Sequence, residues 1–314
     1  MEEKASSEAL AIISNNTIQA LRAYIEEKET NQVAVARACG LSAPVISQYL
    51  QERYQGDVAA VTKKIQDFLA LEEEREDAFT GPTFVRTQQA EDVLMVCGLA
   101  HKHKYIGLIQ ARAGLGKTTT LREYLAHRAG ACMITASSWN CSKGAIASLL
   151  GRAVRVSSPY STLTDAVEHI VNKLGAGALV IVDEAQHLPR ETLDGLRYIY
   201  DVAGVGVVLS GTLAVSARMS DKRVGINYEQ LASRIGCRRT LCEKIEREDC
   251  KKIIEQAIPH PDKDVVDYCL QKANGPGAYR SLVRYLEMAV SKAAGEKENV
   301  GLRHFRAAEE ALMV

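Results

Sequence analysis

No apolar run in this 314-residue chain comes near the ~18 residues needed to cross a bilayer. Its acidic, polar start, Met1-Glu2-Glu3-Lys4, is unlike a secretory signal. Membrane functions are thereby set aside, and a protein of the cytoplasm is expected. Cys-x-x-Cys pairs are also missing. The eight cysteines, at 39, 97, 132, 141, 237, 242, 250 and 269, stand apart without local zinc-ligand spacing. Buried free thiols in a reducing compartment are expected in place of disulfides or a zinc site. Internal repeats and low-complexity tracts are absent. So is net charge, but the zero is unevenly made: −6 over residues 1–79, +7 over 80–240 and −1 over 241–314. A polyanion held without sequence preference would meet the middle third. What is present, 46% hydrophobic and 25% charged residues, is ordinary for a soluble protein with room for two or three domains.

The most informative stretch is 105–120, an apolar run followed by a glycine-bearing turn and then Lys117-Thr118 opening a helical segment. That is the layout of a phosphate-binding loop, G-x-x-x-x-G-K-[ST], spanning Ala111, Arg112, Ala113, Gly114, Leu115, Gly116, Lys117, Thr118 and Thr119. Gly114 and Gly116 leave the backbone N–H groups room to close around phosphates. Lys117 supplies a charge to the β and γ oxygens, and the helix N-terminus faces the anion. Ala111 departs from the pattern, where glycine is usual; its methyl is tolerable if φ there is negative. The second informative stretch is Ala178-Leu-Val-Ile-Val-Asp183-Glu184, a strand apolar on both faces with acids at its carboxyl end, where ligands bind in parallel α/β sheets. Thr118 and Asp183 are expected to hold Mg²⁺, and Glu184 to polarise an attacking water. Together the two stretches argue ATP binding and hydrolysis.

Upstream, residues 8–29 predict a helix with Leu10, Ile13, Ile18, Leu21 and Ile25 at helical spacing. Residues 32–50 then read as helix, Gly40 turn and second helix, with Ser42 as cap and Pro44 in the first turn. Small Ala36 lets the helices approach, and Ile46, Tyr49 and Leu50 face inward. This is a helix-turn-helix whose second helix would present Ser42, Ala43, Val45, Ser47, Gln48 and Gln51 to a groove. Only Gln48 and Gln51 read bases well, so weak duplex binding or a protein-contact role are both open. A helix over 58–72 runs into the acidic stretch 72–77, and Thr80-Gly81-Pro82 marks a boundary. Beyond it, strand alternates with helix: strands at 131–136 and 205–212, helices near 143–152, 162–174 and 189–202. The alternation predicts a three-layer α/β sandwich around a parallel sheet, with a helical region from about 247.

Taken in order, these motifs resemble an AAA+ ATPase, and the resemblance implies an α/β core over 80–242 with a helical lid over 243–314, preceded by the helix-turn-helix domain of 1–79. By that resemblance Thr212 stands at sensor 1, Arg234 of Ser233-Arg234-Ile235 at the arginine finger, and Arg280 of Gly277-Ala-Tyr-Arg280 at sensor 2. Nearly the full length resembles the target-DNA-activator (transposition protein B) family of bacteriophage Mu. The shared features are Gly40-Leu41-Ser42, the linker Pro82-Thr-Phe84-Val85-Arg86-Thr87, the Gly114–Thr118 loop, Val182-Asp183-Glu184-Ala185, Ser233-Arg234-Ile235 and Pro276-Gly277-Ala278-x-Arg280. The family implies ATP and Mg²⁺ as cofactors, double-stranded DNA bound largely without sequence preference, self-assembly into helical filaments, and a cognate transposase that is stimulated. It also implies the cytosol of a bacterial host cell. Lys143, Arg152 and Arg155 are candidate phosphate contacts, with an ordinary solvated surface as the alternative. Competing functions are a replication-initiator or helicase-loader ATPase, and a helix-turn-helix transcription regulator switched by ATP. A metabolic phosphate-loop kinase would leave Arg280 and the final helices without a role.

Overall fold

The computed structural model describes residues 2–77, 81–156, 161–220 and 227–312. The chain divides into two compact units, Met1–Phe79 and Thr80–Val314.

The first unit is four helices: α1 (Glu2–Glu27), α2 (Gln32–Ala38), α3 (Ala43–Leu50) and α4 (Val58–Asp77). The chain turns at Gly40 (φ +62°), and α2 is capped by Asn31, whose side chain accepts from Ala34 N at 2.9 Å. Ile46 and Tyr49 of α3 sink between Leu21 of α1 and Ile65 of α4, all at most 2% exposed. The Tyr49 hydroxyl is kept paired by Thr62 at 2.7 Å. Three expectations are corrected. Ile13 is 44% exposed; Ile18 and Leu21 are buried as expected, and Ser14 and Thr17 join them on the inner face of α1. Ser42 occupies the N-cap position of α3 but makes no side-chain cap bond. Ala43 and Val45, expected to face a groove, pack against the core, leaving Ser42, Gln48 and Gln51 as the exposed residues of that set.

The second unit begins with α5 (Gln88–His103), β1 (Ile106–Gln110), α6 (Lys117–Ala126), β2 (Ala131–Thr135), α7 (Lys143–Ala153) and α8 (Leu163–Leu174). It continues with β3 (Leu179–Asp183), a 3₁₀ turn (Ala185–His187), α9 (Arg190–Ala203), β4 (Gly206–Gly211), α10 (Ala214–Ser220), α11 (Asn227–Ala232) and β5 (Ile235–Thr240). Four helices follow: α12 (Arg247–Glu255), α13 (Lys263–Ala273), α14 (Tyr279–Glu296) and α15 (Leu302–Leu312). The strands form one parallel sheet in the order β2-β3-β4-β1-β5. One face carries Leu108, Val180, Val182 and Leu209 against Leu150 of α7, Ile170 of α8 and Leu196 of α9. On the other face α5 packs on β1, β4 and β5 and beside α6. Helix α5 has no counterpart in the sequence-based expectation, although Thr87 caps it and Val93, Val96, Cys97 and Ala100 repeat at helical spacing.

The topology matters for function. Because β4 lies between β1 and β3, the phosphate loop after β1 and the acids after β3 flank the carboxyl end of β4. The eight cysteines are free, and among the described residues no helix is long and apolar enough to cross a membrane.

Candidate functional site

Ala111 follows β1 without positive φ, so its methyl costs the turn nothing. The carbonyls of Ala111 and Arg112 accept hydrogen bonds from Lys117 Nζ, each at 3.0 Å, which folds the loop over its own lysine. Leu115 anchors the loop from below, 2% exposed. Gly114 (φ +88°) meets a constraint beyond phosphate access: a Cβ there would lie 1.9 Å from the Gly277 carbonyl oxygen. The loop backbone thus rests on the turn that opens α14. Arg112 reinforces that contact, donating from Nη1 to Gly275 O at 3.0 Å and from Nη2 to Glu243 O at 3.2 Å. Burial lowers the Lys117 pKa; the charges of Glu184 and Asp183 oppose the shift, and Arg280 adds to it.

Asp183 ends β3 almost fully buried at 1% exposure. Thr118 Oγ1 donates to its Oδ2 at 2.5 Å, and Ser210 Oγ of β4 donates to its Oδ1 at 2.8 Å. A buried carboxylate flanked by hydroxyls is a hard, all-oxygen donor set of the kind Mg²⁺ takes. Glu184 stands in the left-handed region (φ 56°, ψ 36°), a conformation that costs a non-glycine residue about 1–3 kcal/mol. Gln186 Nε2 donates to Glu184 Oε2, and Gln186 Oε1 accepts from Thr212 N at 3.2 Å.

These elements enclose a cavity of about 400 Å³ whose lining includes Ala113, Gly114, Lys117, Thr118, Glu184 and Arg280. Tyr279, Arg284 and Glu287 of α14 complete its far wall. An adjoining, more apolar hollow of about 220 Å³ is lined by Pro82, Phe84, Val85 and Ile253. Gly116, Thr119, Tyr279 and Val283 belong to both.

The structure therefore gathers the loop residues 111–119, Asp183, Glu184 and Arg280 at one place. Thr212 does not line the cavity; its backbone N–H reaches the site through Gln186. Arg234 is elsewhere: Nε donates to Asp201 Oδ1 at 2.8 Å, and Asp201 Oδ2 also accepts from Arg197 at 2.9 Å. Lys143 and Arg152 are exposed at opposite ends of α7, with Arg155 exposed just beyond. Lys143 borders a separate groove of about 280 Å³ between α7, α8 and α9. Sequence reasoning missed Ser210, Gln186, Tyr279, Arg284 and Glu287. For Ser210 a signal existed, since a hydroxyl at the end of an apolar strand is costly unless it bonds. For Gln186 there was none.

Residues 100–219 match the family described as an AAA domain, and residues 233–312 match the family described as Mu B transposition protein, C terminal. The ATP-dependent target DNA activator B of Escherichia phage Mu is 30% identical over 295 residues, covering 92% of each chain. The Mu-like prophage FluMu DNA transposition protein B of Haemophilus influenzae is 28% identical over 244 residues, covering 76% of this chain and 84% of that one. Among solved structures, domain III of the Thermotoga maritima replication initiation protein superposes with a TM-score of 0.50 at 13% identity, covering 73% of this chain and 94% of that one. A Walker-type ATPase of Pyrococcus abyssi gives 0.50 at 15% identity over 73% of each chain. At these identities the structural matches speak for the fold alone.

Proposed function

The chain belongs to the Mu B transposition protein family, and from that premise we propose that it hydrolyses ATP to ADP and phosphate, binds duplex DNA largely without sequence preference, and activates that DNA as a target for a transposase. The observation that carries this reading is the single cavity shared by Lys117, Thr118, Glu184 and Arg280, with Asp183 beneath Thr118. Lys117, already close to two loop carbonyls, turns its charge to the β and γ oxygens, and the first N–H groups of α6 face the same anion. Burial disfavours the charged form of Lys117, and the negative charge of a polyphosphate beside it offsets that cost. Phe84, Val85 and Ile253 offer an apolar seat for the base beside the phosphate cavity. Thr118 and Asp183 would hold Mg²⁺, whose charge screens the phosphates when it is bound. Glu184 polarises the water that attacks the γ-phosphorus, and Arg280 steadies the oxygens of the transferred group.

Arg234 lies outside this cavity, and on this reading it completes the pocket of a neighbouring protomer. Supply of an arginine from a second subunit ties hydrolysis to assembly. ATP binding then favours a helical filament on DNA and hydrolysis loosens it. Lys143, Arg152 and Arg155 contribute phosphate contacts on the more basic part of the chain. The target activity named for the phage Mu relative supports the transposition context.

The test is electron microscopy of the protein with ATP and random-sequence duplex. Long filaments that require ATP support the proposal. Particles that stay unassembled, or binding confined to one operator sequence, would overturn it.

A further inference from the structure

Glu184 is held in a conformation its own residue type disfavours, and one neighbour accounts for where its carboxylate stands. Gln186, in the 3₁₀ turn after β3, spans the space between Glu184 and the end of β4. Its Oε1 accepts from the Thr212 backbone N–H at 3.2 Å, and its Nε2 donates to Glu184 Oε2. The backbone N–H of Thr212 can only donate, so the amide is oriented with its oxygen toward β4 and its nitrogen toward the carboxylate. The approach also demands a bare backbone next door: a Cβ on Gly211 would lie 2.5 Å from Gln186 Oε1. One carboxylate oxygen of Glu184 is thereby engaged, and the other is left for the water.

We propose that Gln186 is a positioning residue for ATP hydrolysis, which fixes the Glu184 carboxylate by bridging it to the Thr212 amide at the end of β4. The inference rests on the reading of Glu184 as the residue that polarises water. It makes the carboxylate's aim depend on where β4 ends, so strand and water-polarising group move together. Gln186 itself does not line the cavity that Glu184 faces.

The discriminating variant is Gln186→Glu, which keeps an acceptor for Thr212 N but replaces the donor to Glu184 with a second carboxylate. Gln186→Met removes both bonds at similar volume. Turnover in the presence of duplex, equilibrium binding of a fluorescent ATP analogue, and thermal melting are measured on the full chain for both variants, for Glu184→Gln and for Glu184→Gln/Gln186→Glu. Positioning predicts that Gln186→Glu lowers kcat at least ~10-fold with nucleotide affinity within ~3-fold of wild type. It further predicts that the change adds nothing once Glu184 is already Gln. A purely structural role for the Thr212 bond predicts the reverse: near-normal kcat in Gln186→Glu and loss of stability in Gln186→Met. That result, or loss of nucleotide binding in Gln186→Glu, overturns the inference while leaving Glu184 in place. If Glu184→Gln turns over at the wild-type rate, the functional reading of the site falls instead, and this inference with it.

Discussion

Replacing Gly114 by alanine separates two reasons for a glycine in this loop. Gly114 and Gly116 both have positive φ, +88° and +77°. An L-residue in that region costs about 1–2 kcal/mol at either site. Their surroundings differ: a methyl on Gly116 meets nothing within 4 Å, whereas one on Gly114 would sit 1.9 Å from the Gly277 carbonyl. Ordinary contact begins near 3.4 Å, so the loop and the start of α14 must part by about 1.5 Å. Backbone yields poorly, and strain of this kind adds about 1–3 kcal/mol. Gly114→Ala should therefore lose about 2–5 kcal/mol and Gly116→Ala about 1–2 kcal/mol. In a unit of this size each kcal/mol lowers Tm by about 2–4 °C, so centre values of the two drops are about 10 °C and about 4 °C. Because Tyr279 and Arg280 ride on the displaced turn, nucleotide affinity should also fall roughly tenfold further in Gly114→Ala. Calorimetry without nucleotide, followed by titration of a fluorescent ATP analogue, reads both quantities. Equal melting temperatures for the two variants would refute the argument that the loop bears on the Gly277 turn.

Three other outcomes are expected. Arg234→Ala should bind nucleotide normally and lose DNA-stimulated hydrolysis; unchanged turnover per mole would remove Arg234 from any pocket. Substituting Lys143, Arg152 and Arg155 together by alanine should weaken DNA binding and make the slope of log affinity against log salt shallower by up to about 2.7, and an identical slope would reject all three as phosphate contacts. Glu309, partly exposed on α15, has its carboxyl held below the usual value of 4.5 by the hydrogen bond from Lys272 and then that from Tyr268. Its contribution is present above pH 4.5 and is lost as the pH falls through the lowered folded value. Acid titration followed by amide exchange in α15 should show this loosening, and Glu309→Gln should abolish that pH dependence.

Much of the site could be read in the sequence because its motifs are set by local geometry. The loop 111–118 and the strand 179–183 each need contiguous residues, so their spacing survives in one dimension. The parallel sheet was legible for the same reason, since β3 and β4 are short apolar runs bounded by turns. Interactions between distant segments were not. Nothing in the vicinity of Gly114 announces Gly277, and nothing beside Glu184 announces that Gln186 would reach Thr212. Helix α5 was lost because its apolar face is broken by Gln89, a buried amide that donates to Cys242 O and Lys244 O at 3.1 Å and accepts from Tyr279. On the helix-turn-helix, Ala43 and Val45 were misassigned because small apolar residues on a short helix serve a core edge as readily as a groove.

The placement of β4 between β1 and β3 has a consequence for how damage spreads. The segment that grips the phosphates and the segment that carries the acids share no backbone hydrogen bond; each is laddered to β4. A distortion on either side reaches the other across this middle rung, where Ser210 sits, or through the side-chain bond from Thr118 to Asp183. Lesions at that rung should therefore spoil the timing between holding fuel and burning it while leaving both abilities measurable apart.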